Sequence, residues 1–131
     1  MPGLQTLSIM GMAYYGLAII THILILTRII PYTSVNGERS ASYEDQARVS
    51  GSNIVVASGG IILMVLVFID IGLTRHWSGL VIFGVLSLFW LMGFVMQLLG
   101  TFFEKTFMSV IVLFGIVVHV ALFIHAFQAV F

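Results

Sequence analysis

The sequence predicts an all-α protein: an integral membrane up-down four-helix bundle, with a short polar or interfacial helix in its first loop. Three observations carry this. Apolar stretches occupy about 7–30, 54–71, 80–99 and 107–129, each long enough at 1.5 Å per helical residue to cross roughly 30 Å of hydrocarbon. Charged residues make up 8% of the 131 residues, where a soluble domain carries about 25%. Hydrophobic residues make up 60%, so a single membrane domain is expected to use the whole chain.

The first stretch lacks the basic start and small-residue cleavage site of a secretory signal, so residues 1–30 are expected to remain as the first span. Pro31 cannot continue that helix, and Asn36-Gly37 supplies residues that tolerate a tight turn. In the polar loop 31–53, Ser42 is placed to cap a helix whose first turn carries Glu44 and Asp45. This helix is expected to begin near Tyr43 and to run through Arg48 towards the second span, weakened at Gly51 and Gly59-Gly60. The second and third loops are short, which favours antiparallel neighbours.

Four spans put both termini and the second loop on one side. Arg28, Arg39, Arg48 and Lys105 fall in the first and third loops, against Arg75 alone in the second. The positive-inside rule therefore makes loops one and three cytoplasmic and both termini external, in a multi-pass protein of the cell's inner or plasma membrane.

Composition also excludes functions. Cysteine is absent, which removes disulfides, thiolate metal sites and cysteine nucleophiles. Five basic residues balance five acids, so no basic tract exists for nucleic acid. No nucleophile with an adjacent base, no paired carboxylates and no glycine-rich phosphate loop is present. Enzymatic chemistry is not expected, and no catalytic residue is assigned.

Polar side chains within spans face other helices and are the natural functional candidates. On the third span Ser87, Trp90, Gly93, Gln97 and Gly100 recur three or four apart, a small and hydrogen-bonding stripe that should face the bundle. Gly115, His119, Leu122 and Ala126 form such a line on the fourth, and Gly11, Tyr15 and His22 on the first. Interhelical packing accounts for these stripes. A ligand or proton pathway through Asp70, His125, Gln97 and Trp90 is the alternative. At the outer end, Asp70 pairs either with His125, as a proton-responsive site, or with Arg75.

His22 and His119 are the haem b candidates. Counted from Arg28 and Lys105 they sit about 9 Å and about 21 Å into the bundle, a mismatch that argues against a shared iron, so no cofactor or metal is expected. Loop 31–53 is the one sizeable polar surface. With Arg28, Arg39, Arg48 and Tyr43 it offers a contact for a partner protein or a lipid head group, or else it folds back over the mouth of the bundle.

The function expected is that of a non-enzymatic accessory or scaffold subunit, embedded in the lipid bilayer as a homo-oligomer or within a larger membrane complex. The alternatives are a small oligomeric transporter or channel using Asp70, His125 and Gln97, and a haem- or quinone-linked electron carrier using His22 and His119.

Overall fold

The computed structural model of the chain describes residues 1–131. It is built from helices: α1 (Leu4–Leu26), α2 (Tyr43–Phe68), α3 (Trp77–Leu98) and α4 (Ser109–Val130). A π-helical turn, Glu104–Met108, leads into α4. By length and composition all four are able to cross a membrane.

Where the helices begin and end follows from local chemistry. Ser42 caps α2, its side chain accepting the Asp45 N–H at 3.2 Å, with Glu44 and Asp45 at the positive end of the dipole. The short helix expected in the first loop is therefore not separate. It forms the opening turns of α2, whose 26 residues span about 39 Å, more than the hydrocarbon core requires.

α1 stops at Leu26, short of the end expected near Ile30. Arg28 adopts a left-handed φ of 63°, its N–H donates to Ile25 O at 3.0 Å, and the Ile29 N–H donates to Leu24 O at 2.9 Å. This is a Schellman ending with arginine where glycine is usual. α2 ends the same way: Asp70 has φ 51°, its N–H donates to Val67 O at 3.1 Å, and Ile71 N–H donates to Leu66 O at 3.4 Å. Chain reversal at these ends is set by backbone pairing, ahead of Pro31 in the first case.

α1 packs along both α2 and α4, and α3 packs along α4, while α2 and α3 make no comparable seam. At the centre lie Tyr14 and Tyr15, each about 1% exposed. Two glycines open the sockets for these rings. A Cβ on Gly60 would sit 2.3 Å from the Tyr15 ring, and one on Gly115 would sit 2.5 Å from the Tyr14 ring. Met64, Phe83, Val118 and Leu122 belong to the same core. α3 is the least covered helix, with only Gly79 and Phe83 buried. Its stripe of Ser87, Trp90, Gly93 and Gln97, continued by Gly100 just past its end, is half-buried, and Leu88, Leu91 and Met92 point outward.

The first and third loops meet at one end. Thr101 Oγ1 donates to Ser34 O, and both Glu104 carboxylate oxygens accept the Gly37 N–H, at 3.0 and 3.2 Å. His125 Nε2 reaches Pro2 O at 3.0 Å elsewhere, tying the N-terminus to α4.

Candidate ligand cavity beneath the first loop

Loop one is held down by a carboxylate. Glu104 is 3% exposed and stands three residues after Thr101, forming a capping box. The Thr101 N–H donates to Glu104 Oε2 at 2.7 Å and the Glu104 N–H donates to Thr101 Oγ1 at 3.2 Å. The carboxylate oxygens that close the box also take the Gly37 N–H, so one side chain starts a helix and anchors the loop. Gly100 makes the room, since a Cβ there would lie 2.1 Å from Glu104 Oε2.

A second polar chain runs from the loop into the helices. Asn36 Nδ2 donates to Ser40 Oγ at 3.1 Å, Ser40 Oγ donates to Gln46 Oε1 at 2.7 Å, and Gln46 Nε2 donates to Ser50 Oγ at 3.1 Å. Ser50 Oγ lies 3.2 Å from His22 Nδ1. Gln46 and Ser50 are fully buried, and a hydrogen-bond partner for each polar side-chain atom is what makes their burial tolerable.

Between these two anchors lies a cavity of about 210 Å³. His22, Gln46, Asn53 and Glu104 contribute its polar wall, while Trp90, Gly93 and Gln97 contribute the α3 side. Two buried polar atoms on that side have no partner: Trp90 Nε1 and Gln97 Oε1. The Trp90 nitrogen lies near the Tyr15 hydroxyl without completing a hydrogen bond. Two residues that line the cavity thus each carry a fully buried polar atom without a hydrogen-bond partner.

The Tyr15 hydroxyl is already engaged. His119 Nδ1 donates to Gly115 O at 2.6 Å, which makes Nε2 the acceptor, and Tyr15 donates to it at 2.8 Å. Both ring nitrogens of His119 are therefore spent on protein atoms, and axial ligation of an iron would first have to break the Tyr15 bond. His22 stands seven residues beyond Tyr15 on α1, about 10 Å further along the axis, and is bonded to Ser50. The two haem candidates accordingly occupy separate networks, and no group of three or more His, Asp or Glu gathers anywhere to hold a metal.

The pathway candidates divide. Gln97 and Trp90 line the cavity, but Asp70 follows the far end of α2 and is bound to Arg75 at 3.1 Å, both side chains being well exposed. The Asp70–His125 pair is not formed. The left-handed turn at Asp70 and Gly72 folds Arg75 back onto the carboxylate, and His125 binds Pro2 O instead. The loop candidates are partly turned inward. The Tyr43 hydroxyl donates to Leu26 O at the end of α1, and the Arg28 guanidinium covers the Tyr43 ring at 4.1 Å. Arg39 Nε donates to Asn36 O at 2.9 Å within the loop, and Arg48 is exposed. The first loop thus covers the end of the bundle.

Sequence reasoning passed over Glu104, Gln46 and Ser50. The Thr-Phe-Phe-Glu spacing at 101–104 is a legible capping signal. Nothing in the local sequence links Ser50 to His22.

An all-helical chain of four helices able to span a membrane, with a cavity of mixed polar and apolar lining under its first loop, is the class that fold and site define. Neither the family models, nor the curated proteins, nor the solved structures contain a match to the chain.

Proposed function

We propose that this is a multi-pass protein of the inner or plasma membrane that acts by binding rather than by catalysis, as an accessory component within a homo-oligomer or larger membrane complex. The chain runs up-down-up-down, with both termini outside and loops one and three in the cytoplasm. Its working site is the cavity beneath the first loop, where it holds a small molecule.

The observation that carries this reading is the cavity itself, lined by Trp90 and Gln97, each of which has a buried polar atom without a partner, Nε1 and Oε1. Polar groups at membrane depth are costly without partners. The surrounding side chains of Gln46, Ser50 and Glu104 all have theirs. A bound molecule carrying a donor would give the Gln97 amide the partner it lacks.

Native mass spectrometry of the protein released from mild detergent tests the reading. A small-molecule adduct is expected on the natural sequence and should be largely lost from a Gln97→Leu, Trp90→Phe variant that keeps its helical circular dichroism. Equal apo masses for both proteins would overturn the ligand role.

A further inference from the structure

We infer that loop one is a strained lid, latched shut by the Glu104 carboxylate, whose opening controls entry to the cavity from water; this rests on the cavity being the working site. A molecule can approach the cavity from two sides. Between α2 and α3, which form no close seam, an apolar groove of about 440 Å³ shares Val56, Phe89 and Trp90 with the cavity. Val56 and Phe89 are exposed there, and in the bilayer arrangement proposed above that side gives onto lipid. The water side is covered by loop one, whose Val35, Asn36 and Arg39 line the cavity.

The lid has a costly backbone. Asn36, Gly37 and Glu38 follow one another at φ of 55°, 59° and 61°, a left-handed run that asparagine and glycine tolerate and glutamate does not. The turn closes on itself, with the Glu38 N–H donating to Val35 O at 3.2 Å and the Arg39 N–H to Asn36 O at 3.1 Å. The Glu38 side chain is exposed, so no packing of its own offsets the strain. Between α1 and α2 only Val35 is buried, and no ion pair fastens the loop, since the one salt bridge of the chain joins Asp70 to Arg75.

What opposes the strain is Glu104. Its carboxylate accepts the N–H of Gly37, the middle residue of the run, at 3.0 and 3.2 Å, and Thr101 Oγ1 donates to Ser34 O two residues before the run. Hydrogen bonds to an ionised group are about twice as strong as neutral ones, so this contact holds a conformation that the loop by itself disfavours. Backbone strain of this kind collects at clamps and switches, where the surroundings over-determine it. Once the carboxylate lets go, residues 36–38 relax to ordinary backbone, and Val35 leaves the mouth of the cavity with them.

The chain has no cysteine, and Gly93 lines the cavity with room for a side chain, an added Cβ meeting nothing nearer than 3.9 Å. Gly93→Cys in phosphatidylcholine nanodiscs is therefore a single reporter. Its rate of alkylation by iodoacetamide, which is small, uncharged and water-soluble, reads the opening of the lid. Glu104→Gln keeps the shape of the latch and removes its charge, and should raise that rate about tenfold. Glu38→Gly relieves the strain and leaves the latch in place, and should lower the rate about threefold. A lipid-soluble maleimide, arriving through the groove between α2 and α3, should label all of these proteins at similar rates.

An alkylation rate indifferent to Glu104→Gln overturns the lid, as does one that Glu38→Gly leaves unchanged or raises. Maleimide labelling that climbs in step with alkylation overturns it too, because the bundle rather than the loop has then opened. These rates are read without ligand. A Gln97-dependent adduct in the mass spectrum beside unresponsive alkylation leaves the binding reading standing and removes the lid, while the expected rates with no adduct keep the lid and remove the ligand.

Discussion

Tyr15 joins three of the four helices through one side chain: its ring fills the Gly60 notch of α2 and its hydroxyl binds His119 of α4. Tyr15→Phe keeps the ring and removes the hydroxyl, leaving His119 Nε2 without a donor. Interhelical hydrogen bonds in membranes average about 0.6 kcal/mol and reach about 1.7. A loss of about 1 kcal/mol in reversible unfolding from mixed micelles is expected, with the Tyr15→Phe and His119→Leu effects less than additive in a double-mutant cycle. Equal and additive losses would show that the pair is not coupled. Asp70 illustrates the opposite case. Its ion pair with Arg75 is exposed and worth at most about 1 kcal/mol, and asparagine tolerates the left-handed φ that Asp70 adopts. Asp70→Asn should therefore change stability by less than about 0.5 kcal/mol in the same assay.

Loop one is an element held by a few hydrogen bonds rather than by apolar burial. Of its residues between α1 and α2 only Val35 is buried, and the Glu104 carboxylate makes the bonds to Gly37 that hold it to the bundle. Gly100→Ala pushes a methyl group into that carboxylate, and Glu104→Leu removes it. Both should free the loop backbone around the already exposed Arg39 to enter trypsin, with cleavage in detergent several-fold faster than in the natural sequence, while an unchanged rate would mean that the latch does not hold the loop. Thr101-Phe102-Phe103-Glu104 reads as a capping box from spacing alone, and Ser42 was legible as the α2 cap. The role of Glu104 as anchor was not legible, because its acceptor atoms reach an N–H 67 positions earlier in the chain. Pro31 suggested a later end for α1 because the Schellman turn uses an arginine, a residue that propensity does not place at positive φ.

At the scale of the whole molecule, the arrangement in the bilayer is open to direct test. The chain has no cysteine, so single cysteines introduced at Thr6, Ile71, Arg39 and Thr106 report on separate segments. In intact cells, impermeant maleimide should label the first two and reach the last two only after permeabilisation; the reverse pattern would invert the orientation, and mixed labelling would end the four-span scheme. Helical, membrane-compatible character was readable from the residue order because spanning length and apolar composition are local properties, and every backbone group within a helix is satisfied by its own segment. Which polar residues meet was decided only in three dimensions. Asp70 and His125 share a predicted depth yet bind other partners, whereas Tyr15 with His119, Ser50 with His22, and the adjoining hollows around Trp90 depend on how four cylinders are rotated and which pair is left apart. Rotation and spacing come from side chains interlocking across helices, tyrosines into glycine notches above all, and that complementarity lies between segments rather than within any one of them.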